Sequence, residues 1–254
     1  MKTGLCTIAF KELALKTVLD LASRCGFDGV EPWGRPDHTP PAYDQAHNLR
    51  VAEAVRARGL EVSQFGSYAN PTSDEFQTEM GDALKIARDL GTDRIRVWAG
   101  RTGSADADAA QWETVISSFR RSCDQALSLG IALVVEMHEN RLTDTAEGSL
   151  RLVEGVGRPN FLLNFQPMSS HGPDRVLEEV RKVAPLVSAV HAQNRLREGG
   201  RGLISEGIVD YAAVVSELRK AGFDGYIEVE FVREECPEEA LAADARFLRS
   251  LCRM

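Results

Sequence analysis

The sequence predicts an α/β fold, a parallel eight-stranded (β/α)₈ barrel that forms a single domain over residues 1–254. Three observations support this prediction: the length of the chain, a strict alternation of short strand-like runs with helical patterns, and polar residues where the runs end. A barrel of this kind typically needs about 250 residues. The chain is therefore long enough for one such unit.

The repeating unit is the end of a helix, a glycine, and then a short β-branched or apolar run. Glycine at such a point predicts a left-handed residue that ends the helix. Gly26, for example, separates a helical stretch containing Leu21 and Cys25 from a run that ends at Glu31. With an opening strand at about residues 3–9, the pattern gives eight strands. The other glycines of this type are Gly59, Gly91, Gly130, Gly157 and Gly222.

Helical patterns lie between the predicted strands. Val18, Leu21 and Cys25 recur at helical spacing, which predicts one apolar stripe on that helix. The Thr-Ser-Asp-Glu segment at residues 72–75 predicts a capping box at a helix start, and Pro237 suits a first helical turn. Because a helix follows each strand, the strands are expected to be parallel.

Two architectures satisfy this alternation, a closed barrel and an open doubly wound sheet. Neither GxGxxG nor GxxxxGK[ST] follows the first predicted strand, so the usual nucleotide-binding motifs of the open sheet are absent from that position. A barrel gathers its strand ends into one ring, whereas an open sheet spreads them along an edge. The barrel is therefore favoured. Its strand ends carry the polar residues Glu31, Gln64, Glu136, Gln166, His191 and Glu230.

Composition and charge exclude several classes of protein. The formal net charge is −8, and basic residues are interleaved with acidic ones, which argues against nucleic-acid binding. No apolar segment has membrane-spanning length, and five widely spaced cysteines are typical of reduced thiols. We expect a cytoplasmic protein that acts on a small molecule, with neither nucleic acid nor membrane as a partner. A homo-oligomer is compatible with the sequence.

Alternation along the strands directs polar side chains into the barrel. Near the last strand, Ile227 and Val229 are expected to face the helices, while Glu228 and Glu230 face the interior. An inward carboxylate is costly unless it is paired or bound to metal. Each such residue alone is explained by a hydrogen bond to a loop, but a set at one level favours a divalent metal such as Mn²⁺, Mg²⁺, Co²⁺ or Zn²⁺. The same alternation directs Glu136, His138, Asn164 and Gln166 inward.

Short segments spread along the chain match the pattern of a known family. They are Gly-Phe-Asp-Gly-Val-Glu at 26–31, Val-Glu-Met-His at 135–138, Asn-Phe-Gln-Pro at 164–167, Val-His-Ala-Gln-Asn at 190–194, Glu-Gly-Ile-Val-Asp at 206–210 and Gly-Phe-Asp-Gly-Tyr-Ile-Glu-Val-Glu at 222–230. In these segments the chain resembles the sugar phosphate isomerase/epimerase family of the xylose-isomerase-like TIM barrels. The resemblance covers essentially the whole chain and occurs in order.

The resemblance implies one divalent metal, held by a Glu, an Asp, a His and a Glu from the fifth to eighth barrel strands. These ligands correspond here to Glu136, Gln166, His191 and Glu230. Gln166 stands where the family has Asp, so the metal is expected to be weakly held. The pair at 193–194 is Gln-Asn, where Lys-Asp commonly follows the histidine.

The leading hypothesis for function is an isomerase or epimerase. It would remove a proton next to a carbonyl in a sugar, sugar phosphate or polyhydroxy acid, and so form an enediolate. Glu136 and Glu230 are predicted as the catalytic pair, one removing a proton and the other returning it. Loops at residues 32–41 and 193–207 are long enough to act as lids. The residues predicted to bind substrate are Glu31, Trp33, Gln64, Trp98, His138, Asn164 and Arg197.

Two alternatives remain open. A metal-dependent dehydratase or lyase needs the same proton abstraction together with a departing hydroxyl. A non-catalytic sugar-binding barrel that has lost its metal is compatible with Gln166. An endonuclease is disfavoured, because such barrels need several metals and many histidines, and the chain has five, with His38, His47 and His171 outside strand ends.

Overall fold

The structure, a computed structural model that describes residues 1–253, confirms the predicted barrel fold. Nine strands lie in one sheet, and every pair of neighbouring strands is parallel. The strands are β1 (Lys2–Cys6), β2 (Gly29–Glu31), β3 (Glu61–Val62), β4 (Phe65–Gly66), β5 (Arg94–Val97), β6 (Ala132–Glu136), β7 (Phe161–Phe165), β8 (Val187–Ala192) and β9 (Tyr226–Val229).

The sheet is nearly closed because its two edge strands are halves of one barrel strand. The strand order is β3-β2-β1-β9-β8-β7-β6-β5-β4. β3 pairs with β2 and β4 pairs with β5, while only Ser63 and Gln64 separate the two halves in sequence. The eight barrel strands that the pattern predicts are therefore present, with the third one in two pieces.

Helices pack against the outside of this sheet. None of the helices within residues 1–253 has the combination of length and apolar character needed to cross a membrane. The α-helices are α1 (Leu15–Cys25), α2 (Gln45–Arg56), α3 (Phe76–Leu90), α4 (Ala109–Leu127), α5 (Ala146–Val156), α6 (Pro173–Val183), α7 (Tyr211–Lys220) and α8 (Pro237–Arg253).

The glycine pattern correctly located the helix ends. Gly26 follows α1 with φ of 74°, and Gly91 follows α3 with φ of 77°, both in the left-handed region that glycine adopts without penalty. Positive φ also occurs at the other predicted positions, Gly59, Gly130, Gly157 and Gly222.

Two local predictions differ from the structure. The first strand ends at Cys6, and Thr7–Phe10 forms a 3-10 helix whose first residue accepts from the Trp33 amide and contacts His38 through its hydroxyl. No capping box forms at residues 72–75, since the amide and hydroxyl of Thr72 both bond the Asn70 side chain.

The apolar core lies between the sheet and the helices. Leu5, Val135 and Val229 on the outer face of the sheet are completely buried. On the inner face, Glu136 and Glu228 are buried at 2% and 0% exposure, which agrees with the alternation predicted for β6 and β9. The interior of the barrel is therefore polar toward its carboxyl end.

Glycines make room for the interior carboxylates. A Cβ built on Gly66 would collide with the carboxylate of Glu31 and lie 3.1 Å from the Pro32 carbonyl oxygen. A Cβ on Gly4 would lie 2.9 Å from Cγ of Glu228. These positions accept no side chain because the carboxylates already fill the space.

We expect Gly66→Ala to lower the free energy of unfolding by about 1–3 kcal/mol, because the methyl group overpacks the barrel interior. The control is Gly81→Ala in α3, where nothing lies within 4 Å of the built Cβ. That change should raise the free energy of unfolding by about 0.4–1 kcal/mol. Urea unfolding followed by far-ultraviolet circular dichroism measures both, and equal values for the two variants would contradict the packing argument.

Candidate active site

A cavity of about 220 Å³ opens at the carboxyl ends of the strands. It brings together the predicted residues Glu31, Trp33, Trp98, Glu136, His138, Gln166, His191 and Glu230. Six further residues complete its lining, namely Cys6, Ile8, Tyr68, Arg96, Gln193 and Phe231.

A closed ring of four charged or titratable side chains forms the floor of this cavity. Arg96 donates from Nε to Glu31 Oε1 at 3.0 Å and from Nη1 to Glu136 Oε2 at 2.8 Å. His191 closes the ring, with Nε2 2.7 Å from Glu31 Oε2 and Nδ1 3.0 Å from Glu136 Oε1. All four side chains are at most 5% exposed, so each depends on its partners for solvation.

The ring keeps both of its carboxylates, Glu31 and Glu136, ionised. Burial by itself raises the pKa of Glu31 and Glu136, but the charges of His191 and Arg96 outweigh burial and lower both pKa values to about 2. Burial also lowers the pKa of His191, but Cys6, Glu31 and Glu230 outweigh it and hold that pKa well above its usual value.

A third carboxylate, Glu230, lies beside the ring. Its Oε1 is 3.6 Å from His191 Nδ1. Burial, opposed by the charge of His191, raises the pKa of Glu230 to about 7. The pKa of Glu230 is therefore higher than that of Glu136, although both carboxylates line the same cavity.

Gln166 joins Glu136 and Glu230. One end of its side-chain amide lies 3.0 Å from Glu136 Oε1 and 2.9 Å from Glu230 Oε2. With the amide nitrogen at this end, Gln166 donates to both carboxylates. With the amide oxygen there, it faces only acceptors, which is favourable only around a cation.

Glu136, Gln166, His191 and Glu230 together supply the oxygen and nitrogen donors of a divalent metal site. Ligand atoms of Glu136, His191 and Glu230 all lie within 4.8 Å of one another, and the Gln166 oxygen is available as a fourth. His191 Nε2 donates to Glu31, and in the ring Nδ1 donates to Glu136. A metal would replace the hydrogen on Nδ1, so Nδ1 is the ligand atom and Nε2–H keeps its bond to Glu31. The residues therefore fit a metal such as Mn²⁺ or Mg²⁺.

A second polar layer lies beneath the ring. Gln64 Nε2 donates to Glu31 Oε2 at 2.8 Å and to Glu228 Oε2 at 2.9 Å. Ser63 Oγ donates to Glu228 Oε1 at 2.5 Å, and burial, together with the charge of Glu31, raises the pKa of Glu228 to about 8. Gln64 therefore braces the floor and does not line the cavity.

Aromatic rings form one wall of the cavity. Trp33 Nε1 donates to the Tyr68 hydroxyl at 2.7 Å, and the Tyr68 ring stacks on Trp98 with centroids 5.6 Å apart. Trp98 in turn lies 4.8 Å from the His138 ring. The wall is thus continuous from the end of β2 to the end of β6.

His138 has one nitrogen engaged and one free. Its Nδ1 lies 2.9 Å from the Glu139 carbonyl oxygen, so Nδ1 carries the hydrogen when the ring is neutral. Within residues 1–253, no hydrogen bond to Nε2 is formed. His138 can therefore accept a proton from a molecule in the cavity.

Asn164 and Arg197, both predicted to bind substrate, do not line the cavity. Asn164 lies two residues before Gln166 on the same face of β7, which places it one layer deeper, and neither of its side-chain polar atoms has a partner. Arg197 is exposed because residues 195 and 201 pair in a tight antiparallel bridge that puts it at the loop tip.

Arg96 and Tyr68 were missed in the sequence. Arg96 lies between Ile95 and Val97 on β5, so the alternation rule applied to Glu230 also predicts an inward Arg96. Tyr68 follows the two-residue strand β4, where no periodic pattern signals its position.

Asn194 explains one departure from the family pattern. Its Nδ2 donates to the carbonyl oxygens of Ile204 at 2.8 Å and Val209 at 2.9 Å, while Oδ1 accepts from the Val209 amide at 3.0 Å. An amide supplies both the donors and the acceptor, which a carboxylate does not. Asn194 thus fastens the base of the 193–207 loop.

Comparison with known proteins agrees with this architecture. A 3-dehydroshikimate dehydratase from Bacillus anthracis is 28% identical over 86% of this chain and 87% of that protein. An L-ribulose 3-epimerase from Mesorhizobium japonicum is 24% identical over 78% of this chain and 62% of that protein. Both relatives are enzymes.

A solved structure supports the fold. The magnesium complex of a xylose isomerase-like TIM barrel protein from Mycobacterium smegmatis superimposes with a TM-score of 0.79 at 16% identity, covering 99% of this chain and 97% of that one. The family described as xylose isomerase-like TIM barrel matches residues 19–251. The chain belongs to the xylose isomerase-like TIM barrel family.

Proposed function

We propose that the protein is an enzyme that removes a proton from the carbon next to a carbonyl in a small polyhydroxylated substrate. The observation that carries this proposal is the convergence of Glu136, Gln166, His191 and Glu230 beside a free His138 Nε2 in one cavity. Such a reaction isomerises or epimerises a sugar, a sugar phosphate or a polyhydroxy acid.

Glu136, Gln166, His191 and Glu230 would hold one divalent metal, which supplies a Lewis acid for the negative charge that develops on the carbonyl oxygen. Arg96 fixes Glu136 through the 2.8 Å contact to Oε2. Glu31 fixes His191 by accepting from Nε2. Glu31 therefore acts on the ligands, and its four donors leave it little capacity to bind substrate.

The proposed acid–base groups differ from the pair that the sequence suggests. Oε2 of Glu136 accepts from Arg96, and Oε1 faces His191 Nδ1 and the Gln166 amide, which belong to other proposed ligands, so we assign Glu136 to ligation alone. His138 has a free nitrogen in the cavity, and Glu230 lines it from the other end of the β6–β9 arc. We assign the proton transfers to His138 and Glu230.

A dehydratase is the second candidate, and a specific observation favours it. Trp33, Tyr68 and Trp98 line the cavity together and form an apolar aromatic wall against which a carbon ring can pack. In a dehydration, His138 would take the proton next to the carbonyl. The hydroxyl on the adjacent carbon would take a proton from Glu230 and leave as water, with the electron pair of the broken C–H bond forming the new C=C bond. The 28% identical relative is a 3-dehydroshikimate dehydratase.

Proton abstraction is tested in D₂O with Mn²⁺ and a panel of ketoses, ketose phosphates, hydroxy acids and 3-dehydroshikimate. We expect the proton next to the carbonyl to exchange for deuterium in at least one compound, measured by proton NMR. An isomer or epimer has an unchanged mass apart from deuterium, whereas a dehydration product has lost water and absorbs in the ultraviolet. Absence of exchange across the panel would contradict the proposal.

The exchange rate of an identified substrate should fall by about 10²–10⁴-fold in His138→Gln, because the variant lacks a proton acceptor at that site. Its Mn²⁺ content, measured by atomic absorption, should match that of the wild type. His47→Gln is the control, since His47 lies on α2 away from the cavity. An unchanged exchange rate in His138→Gln would remove His138 from the mechanism.

Metal binding is tested by titrating Mn²⁺ into the chelator-treated protein in a calorimeter. His191→Ala should lower the affinity for Mn²⁺ by more than about 10–100-fold, because that loss is typical of removing a residue that only hydrogen-bonds a ligand, and His191 is proposed as a ligand itself. Gln166→Glu should raise it by about tenfold, because a charged oxygen replaces a neutral one.

His171→Ala is the matched control for the metal titration. His171 also pairs with a buried carboxylate, Glu179, at 2.9 Å, but it lies outside the cavity. Equal affinities for wild type and Gln166→Glu would mean that Gln166 is not a ligand. Binding by none of the proteins would favour the metal-free sugar-binding barrel.

A further inference from the structure

A second cavity of about 360 Å³ adjoins the first one. The two share three lining residues, His138, Gln166 and Gln193. The second cavity extends outward between the loops that follow β6, β7, β8 and β9. A substrate that reacts beside His138 has room to extend into it.

Two arginines lie on the same side of this cavity. Arg195 and Arg201 form an antiparallel bridge in the 193–207 loop, and residues directly opposite in such a pair project to the same face. The loop base is fastened by Asn194, so the two guanidinium groups are presented by an organised segment. Both side chains line the same cavity, so they can act on one group there.

Neither arginine is paired with a carboxylate. Within residues 1–253, no acidic oxygen lies within 4.0 Å of either guanidinium, although the chain has a formal net charge of −8. Arg195 reaches only the Ser169 carbonyl oxygen, at 3.4 Å, and Arg201 lies over the Phe231 ring at 4.1 Å. Both guanidinium groups therefore retain donors for a ligand.

Two carboxylates line the same cavity but are held apart from the arginines. Glu139 Oε1 accepts from Ser169 Oγ at 2.6 Å and from the Ser170 amide at 2.9 Å, so two donors already engage this carboxylate. Glu234 is exposed after β9. Neither carboxylate has an oxygen within 4.0 Å of Arg195 or Arg201, so an anion is favoured beside the two arginines.

We propose that Arg195 and Arg201 bind a carboxylate or phosphate at the remote end of the substrate. A guanidinium pairs with either group through two parallel hydrogen bonds, which fixes orientation as well as affinity. The inference rests on the proposed function, because it assigns the second cavity to the same substrate. It makes the substrate class a sugar phosphate or a sugar acid, and not a neutral sugar.

The test is calorimetric binding of D-fructose 6-phosphate, D-gluconate and neutral D-fructose to the full chain with Mn²⁺. We expect the wild type to bind one anionic probe at least about 10-fold more tightly than D-fructose, the effect of charged hydrogen bonds. The stronger of the phosphate and carboxylate probes identifies the group. The preference should disappear in the Arg195→Gln/Arg201→Gln double variant.

Arg197→Gln is the matched control, because Arg197 is exposed and charged like Arg195 and Arg201 and lies in the same loop, but does not line the cavity. It should keep the preference for the anionic probe. Equal loss in Arg197→Gln would overturn the inference in favour of general attraction by the loop. Equal responses to charged and neutral probes, including no response to either, would also overturn it.

Failure of the anion subsite can be distinguished from failure of the proposed proton abstraction. Deuterium exchange into a neutral ketose, at a rate that the double variant leaves unchanged, would overturn the inference while supporting proton abstraction. Anion preference that depends on Arg195 and Arg201, in a protein that exchanges no proton, would support the subsite and contradict the enzyme.

Discussion

The site depends on one interaction, the closed ring of Glu31, Arg96, Glu136 and His191 in the barrel interior. Each member is buried and has its nearest counter-charges in the other members of the ring. Four different strands, β2, β5, β6 and β8, supply the members, so the ring forms only when the sheet has curved into a barrel. Barrel closure and assembly of the polar site are consequently one event.

The role of Gln166 depends on its position beside Glu136 of this ring and Glu230. A carboxylate at that position would add a third negative group beside Glu136 and Glu230, whereas an amide can turn its nitrogen toward both. The site therefore has a hydrogen-bonded arrangement of its own and a second arrangement suited to a cation. A neutral ligand binds the metal more weakly than a carboxylate would, but its hydrogen bonds keep the site ordered when no metal is bound.

Local patterns predicted the fold and much of the site. Glycines such as Gly26 mark helix ends because they adopt positive φ, so the helix ends can be predicted from the sequence. Strand alternation directs Glu136 and Glu230 inward, so these site residues can be predicted in the same way. Arg96 follows the same rule. The roles of Glu31 and Gln64 instead depend on partners more than 30 residues away, and no local pattern specifies such contacts. Arg197 lies outside because the loop folds back on itself.

The interruption between β3 and β4 has a consequence for motion. In a regular strand, successive side chains point to opposite faces, yet Ser63 and Gln64 both reach Glu228. The break thus brings two adjacent donors inward, while the Ser63 amide still donates to the Val30 carbonyl oxygen at 3.0 Å. The strands on either side of the break, β3 and β4, are only two residues long. Because Gln64 also donates to Glu31, a local opening of the sheet at the break would remove that contact and with it part of the support of His191.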